Sequence, residues 1–122
     1  MNQDYKKLRE ELGNEKIVIE KCDLRDEKSI ETFFENIAQD RDSLKLLINN
    51  AGLALGTEPA QKSELKKWQQ MIETNILGLV SLTHKILPLL IQNKGGVINI
   101  GSVAASYPYP GGNVYGGTKA FV

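Results

Sequence analysis

Hydrophobic positions along the chain recur with two different periods, and the change from one period to the other marks out the elements. Tyr5, Leu8 and Leu12 share one stripe over residues 3–12, which predicts a helix closed by Gly13 as its C-cap. Residues 16–24 (Lys-Ile-Val-Ile-Glu-Lys-Cys-Asp-Leu) predict a strand with Asp23 at its C-terminal end. Ile30, Phe33, Phe34 and Ile37 fall at helical spacing and predict an amphipathic helix over residues 29–39, its aromatics serving as core. The near-continuous apolar run over residues 44–48 predicts a strand buried on both faces, as in the centre of a parallel sheet. Leu65, Trp68, Met71, Ile72, Ile76, Leu79, Leu82 and Leu90 predict a long helical stretch over residues 64–92. Pro88 should bend that stretch or end its regular hydrogen bonding near Leu87. A last apolar run, Val97-Ile98-Asn99-Ile100, predicts a buried strand ending at Gly101-Ser102. A loop with Pro108, Pro110, Gly111 and Gly112 follows, then a helix from about Asn113. Strands alternating with helices predict an α/β fold around a parallel sheet.

Composition adds limits. The 122 residues suffice for one modest domain, and 41% hydrophobic with 25% charged residues is ordinary for a globular protein. Fifteen basic and fifteen acidic residues cancel, so charge supports neither a nucleic-acid partner nor an anionic membrane. Cys22 stands alone, which excludes an internal disulfide and fits a reducing compartment; it reads as a small buried hydrophobe. No run reads as long enough to span a bilayer, and the polar, charged start is unlike a secretory signal. A cytoplasmic location is expected, with no metal site.

The chemistry concentrates in the last two dozen residues. Tyr115 and Lys119 stand four positions apart, so a helix there stacks phenol and ammonium on one face. A tyrosine ordinarily titrates near 10; acid/base work at neutral pH asks for about three units, or about 4 kcal/mol. An ammonium at about 4 Å supplies energy of that order at an effective dielectric of about 20. Ser102, thirteen positions before Tyr115 at a strand end, can hydrogen-bond the oxygen that the tyrosine protonates. Carbonyl reduction or alcohol oxidation follows in outline. Asn49-Asn50-Ala51-Gly52 after the 44–48 strand offers small residues and free amides to a ligand, or simply a turn. Asp23 sits where open α/β sheets bind ligands, or caps the next turn. Asn75 is a poor helix former in mid-helix; taken alone it reads as solvent-facing or back-bonding. His84, the single histidine, reads as surface.

Ser102, Tyr115 and Lys119, with Asn49-Asn50-Ala51-Gly52 and Asn75, resemble the short-chain dehydrogenase/reductase family. Residues 49–56 and 111–115 are closest to its NADP-dependent branch of 3-hydroxy acid dehydrogenases, malonic semialdehyde reductase and serine 3-dehydrogenases. The resemblance implies a catalytic tetrad of Asn75, Ser102, Tyr115 and Lys119, with Ser102 and Tyr115 holding a small hydroxy or carbonyl substrate. In that tetrad Lys119 lowers the phenol's pKa and holds the ribose, while Asn75 bends its helix and holds a water that relays protons towards Lys119. It implies NADP, or NAD, bound by Asp23, Leu24, Asn50, Ala51, Gly52, Tyr115 and Lys119, with Asp23 and Leu24 beside the adenine. Asn49 would mainly brace the sheet. A homodimer or homotetramer is implied for a full-length relative.

The implied fold is a partial Rossmann-like doubly wound parallel sheet, one partial domain over residues 1–122 that holds strands matching the third, fourth and fifth of the order 3-2-1-4-5-6. The glycine-rich turn that cradles a pyrophosphate at a helix N-terminus has no counterpart in the sequence, nor do the residue choosing NADP over NAD and the sixth and seventh strands. The third strand is then separated from the fourth by about three strand spacings, roughly 14 Å. Two alternatives stand beside the enzyme reading. One is a non-catalytic fragment, expected to bind NADPH weakly alone. The other takes residues 112–119 as a phosphate-binding loop with its Lys and Thr exchanged, although the lysine must directly follow the glycine to reach phosphates.

Overall fold

A computed structural model describes residues 7, 10–11, 13, 18–37 and 42–122. Of the expected first helix, Lys7, Glu10 and Glu11 are helical and the other positions up to Leu12 lie outside the described residues. Gly13 has φ +57° and its N–H reaches the Glu10 carbonyl at 3.2 Å, as a C-cap does.

The expected strand over residues 16–24 is not formed where it is described. Residues 18–24 make no ladder. A strand needs a neighbour to take its N–H and C=O groups, and in the expected sheet order its neighbour is not the strand at 46–49. Local bonds replace the ladder: the Asp23 N–H donates to Ser29 Oγ at 2.8 Å.

Helix α1 (Glu27–Asn36) starts two residues before the expected range of 29–39, because Asp26 caps it, accepting the Lys28 N–H at 3.1 Å. Strand β1 (Leu46–Asn49) and strand β2 (Gly96–Asn99) pair in parallel, Leu47 opposite Val97 and Asn49 opposite Asn99. One helical rod connects them. It comprises α2 (Leu65–Ile72), a π-helical segment (Glu73–Gly78) and α3 (Leu79–Gln92).

Pro88 does not end α3. It removes the N–H that would have bonded the His84 carbonyl, but both residues are exposed, so water can take that carbonyl. At 28 residues, with a mean hydropathy of 1.4 over its most apolar window, the rod is also long and apolar enough to cross a membrane, contrary to the expectation from sequence. Its polar groups are dispersed widely enough to leave such a window. Its packing is that of a crossover helix, with α1 and β1 against α3, and α4 (Asn113–Phe121) against α2 and the π segment. A Schellman motif closes it: Gly95 N–H to Leu90 C=O at 2.7 Å and Lys94 N–H to Ile91 C=O at 3.2 Å, with Lys94 at φ 54°.

The core joins Leu47, Ile86 and Leu90, with Phe33, Phe34, Leu44, Leu82 and Val97 around them. Leu46, Ile48 and Ile98 remain exposed. The sheet is therefore covered unevenly, and the loops after its two strands meet at its C-terminal edge.

Candidate active site

Both parallel strands deliver their following loops to one edge, the position at which open α/β sheets bind ligands. Asn49 closes β1: its buried amide donates to Thr83 Oγ1 at 2.9 Å and to Asn99 Oδ1 at 2.8 Å, bracing the sheet against α3. The chain then turns at once, the Asn50 N–H donating to the Ile48 carbonyl at 3.1 Å, and leaves Asn50, Ala51 and Gly52 exposed.

Asn75 is neither solvent-facing nor back-bonding. It is 1% exposed, in the π segment, and its side chain clasps Leu53 from both sides. Oδ1 accepts the Leu53 N–H at 2.7 Å and Nδ2 donates to the Leu53 carbonyl at 2.9 Å. Nδ2 also donates to Thr118 Oγ1 on α4 at 2.9 Å. The wide turn of a π segment lets such a side chain be set into a helix that would otherwise present it differently. Gly78 closes the segment where Leu24 crosses it; a Cβ there would lie 2.6 Å from that of Leu24.

Beyond β2, the Ile100 N–H returns to the Asn49 carbonyl at 3.0 Å, and the Ile100 carbonyl accepts from Lys119 Nζ at 2.9 Å. Lys119 is only 9% exposed and, among the described residues, makes no ion pair. Gly52 lies against it, a Cβ on that glycine falling 3.4 Å from Nζ and 3.5 Å from Asn75 Oδ1. Ser102 is half-buried and caps the 3-10 turn Val103–Ala105, accepting the Ala104 N–H at 3.2 Å. That bond uses a lone pair and leaves the Ser102 proton to donate elsewhere. Tyr115 is half-buried, one turn before Lys119 on α4. Asn113, at φ 39°, starts that helix after Gly111 at φ +80°.

Asp23 and Leu24 belong to a second neighbourhood. The Asp23 carboxylate accepts the Arg25 side chain at 2.9 and 2.7 Å and the Arg25 N–H at 3.0 Å. The Arg25 guanidinium, then its amide, hold the Asp23 carboxyl at about 2, below its ordinary 3.8. This is the turn-forming role weighed from sequence. Leu24 shares a small cavity of about 40 Å³ with Asn50 and Ala51, so the structure does bring those three together.

A groove of about 240 Å³ between the 3-10 turn and the Gly116, Gly117 and Ala120 positions of α4 is lined by none of Ser102, Tyr115 and Lys119. Residues 113–121 being helical, Gly116 and Gly117 sit in a helix, and the phosphate-loop reading of residues 112–119 does not fit. Among the described residues, no three of His, Cys, Asp and Glu gather as metal ligands. Thr118 escaped sequence reasoning; its one signal was a hydroxyl standing between Tyr115 and Lys119.

The family model for short chain dehydrogenases matches residues 1–122. The chain belongs to the short chain dehydrogenase family. It is 54% identical over 100 residues to a serine 3-dehydrogenase of Rhizobium radiobacter, covering 82% of this chain and 40% of that protein. It is 47% identical over 116 residues to the NADP-dependent 3-hydroxy acid dehydrogenase of Escherichia coli K12, covering 94% of this chain and 46% of the relative. Among solved structures, serine dehydrogenase from Escherichia coli superposes with a TM-score of 0.89 at 43% identity, over 99% of this chain and 56% of that one. The closed form of serine dehydrogenase complexed with NADP+ gives 0.88 at 44% identity, over 98% and 49%. The chain thus spans less than half the length of the curated relatives it matches. Its architecture is that of a partial Rossmann-like α/β fold, in which two of the three expected strands form a parallel pair.

Proposed function

We propose that this chain carries the proton-handling half of an NADP-dependent dehydrogenase that interconverts a small 3-hydroxy acid, or another primary or secondary alcohol, with its carbonyl compound. The observation that carries the reading is Lys119: a nearly buried ammonium with no counter-ion among the described residues, at the ligand-binding edge of a parallel pair. A buried charge without a partner is costly, and such groups concentrate at functional sites. Serine and 3-hydroxy acids enter through the names of the relatives.

The residues present fit a nicotinamide dinucleotide in part. The exposed backbone of Asn50, Ala51 and Gly52 and the two Lys119 donors not used on Ile100 suit an amide and a ribose, and Leu24, beside Asn50 and Ala51, offers a base an apolar contact. When bound, the cofactor supplies or accepts the hydride. The chain's own residues handle the proton. In reduction, the Tyr115 phenol gives its proton to the carbonyl oxygen, and Ser102 donates a hydrogen bond to that oxygen. The Lys119 charge stabilises the phenolate left behind, which regains a proton from solvent. In oxidation the proton moves the other way.

Cytoplasmic residence fits the free thiol of Cys22. Self-association of two or four copies fits the exposed Val80, Leu87 and Ile91, which recur at helical spacing along α3. The domain is then the middle of a longer one, completed by a glycine-rich turn and further strands. A second reading, that the chain alone is non-catalytic, is favoured by the exposed Leu46, Ile48 and Ile98 on the sheet.

The test is NADPH consumption by an enzyme containing this chain, offered malonic semialdehyde, and NADP reduction with serine or 3-hydroxypropionate. Turnover with at least one of these is expected, and none with any would remove the 3-hydroxy acid assignment. Lys119→Ala should lower both turnover and NADPH affinity and shift the acid–base limb of the pH profile. An unshifted limb would contradict the electrostatic role.

A further inference from the structure

We propose that Thr118 is a positioning residue for the proton-handling site, the joint through which Asn75 fixes the turn of α4 that carries Tyr115 and Lys119. The proposal rests on the reading of Tyr115 as acid and base. Helix α4 has nine residues, two of them Gly116 and Gly117, so its own propensity holds it poorly and tertiary contacts must set its rotation. Thr118 is 1% exposed, stands three positions after Tyr115 and directly precedes Lys119.

A threonine hydroxyl has one proton and two lone pairs. The proton goes to the Tyr115 carbonyl at 2.8 Å, and a lone pair takes the Asn75 Nδ2 hydrogen at 2.9 Å. The orientation of the Asn75 amide is dictated by its partners. Leu53 N–H can only donate, so Oδ1 must face it, and the two Nδ2 hydrogens then meet the Leu53 carbonyl and Thr118. With its proton already on Tyr115, Thr118 can only accept. One directional chain of bonds therefore runs from the loop after β1, through the π segment, to the backbone of Tyr115. It joins segments 22 and 43 positions apart in sequence. Lys119, one residue on, is held at its far end by the Ile100 carbonyl. The hydroxyl, rather than the volume, of Thr118 sets where Tyr115 stands.

Thr118→Val keeps the volume and removes the hydroxyl, whereas Thr118→Ser does the reverse. In the enzyme containing this chain, Thr118→Val should lower kcat about tenfold or more, since small misplacements of reacting groups are costly. The KM for NADPH should stay within about twofold, the acid–base limb of the pH profile should shift, and Thr118→Ser should restore both kcat and the limb. A role in packing alone gives the opposite order, with valine active and serine impaired, and that order would overturn the proposal. If Thr118→Val does not fold, Thr118→Cys serves in its place: its weakly bonding thiol should give a kcat below that of serine, and equality with serine would overturn the proposal. Amide hydrogen exchange at Leu53 reads the clasp without activity. It should quicken in Thr118→Val and recover in Thr118→Ser, and identical exchange in all three proteins would contradict it. A Tyr115→Phe enzyme that kept its turnover would remove the acid–base reading by itself, while exchange at Leu53 would still decide whether the clasp exists.

Discussion

The two ends of the candidate site are held by different kinds of bond. Around Tyr115 and Lys119, buried side chains reach across the sequence: Asn75 to Leu53 and Thr118, Asn49 to Thr83 and Asn99, Lys119 to Ile100. Around Asp23 the bonds are local, with Arg25 closing on the Asp23 carboxylate two positions away, exposed, and a half-buried Ser29 hydroxyl on the Asp23 amide six positions away. Desolvated, cross-element bonds fix relative position, whereas exposed local bonds shape a turn without locating it on the sheet. The end around Tyr115 and Lys119, proposed above to handle the proton, is thus built within this chain. At the other end Leu24 packs against Gly78 and beside Asn50 and Ala51, while the Asp23 carboxylate is held by its near neighbour Arg25.

Breaking that contrast at its strongest point should have the largest effect. Asn75→Ala would leave the Leu53 N–H and C=O without their side-chain partner and Thr118 without its donor. A loss of roughly 3 kcal/mol is expected from several buried groups left unpaired. Chemical denaturation of the enzyme containing this chain measures it, and a loss under about 1 kcal/mol would show the network to be ornamental.

The loop that feeds α4 comes next. Gly111 has φ +80°, and a Cβ there would stand 2.3 Å from the Thr57 carbonyl oxygen. Gly111→Ala should cost about 2 kcal/mol. On α4, a Cβ added at Gly117 would meet nothing within 4 Å, so Gly117→Ala should instead stabilise by about 0.5–1 kcal/mol. Thermal melts of the pair should therefore move in opposite directions, and movement in the same direction would break the account of α4.

The smallest effect belongs to the exposed end. Asp23 titrates at about 2 rather than 3.8, chiefly because the Arg25 side chain donates to it, with the Arg25 amide second. A depressed carboxyl pKa means that the contribution of the pair is complete above about 3.8 and is lost as pH falls through about 2. Both groups are exposed, so the turn and not the fold should feel the change. A carboxyl titration by NMR should place Asp23 near 2 and return it towards 3.8 in Arg25→Ala. A wild-type midpoint already near 3.8 would remove the pair.

Legibility in the sequence followed the range of the interaction. The spacing of Tyr115 and Lys119 was legible because a helix makes neighbours of positions four apart. The strands at 46–49 and 96–99 were legible as short apolar runs, and Asn75 was conspicuous as an unfavourable residue in mid-helix. Its partners were not, because they lie 22 and 43 positions away and depend on how three elements pack. The same holds for Thr118. Residues 18–24 of the expected 16–24 strand form no ladder for a related reason: β-propensity describes a side chain's fit to a sheet, not the presence of the neighbouring strand. That α3 would run on through Pro88 was not legible, because the cost of a proline depends on whether the orphaned carbonyl meets water, which the exposed face of α3 decides.

One measurement sets the proposed proton-handling role directly against the proposed cofactor-binding one: Tyr115→Phe in the enzyme containing this chain, followed by NADPH-dependent turnover and NADPH affinity together. The substitution removes a proton and an oxygen but little contact area. Turnover should fall by about 100-fold or more, the usual size of a lost general acid, with NADPH affinity within about twofold. Turnover within about tenfold of wild type would contradict the assignment of Tyr115 as the acid and base.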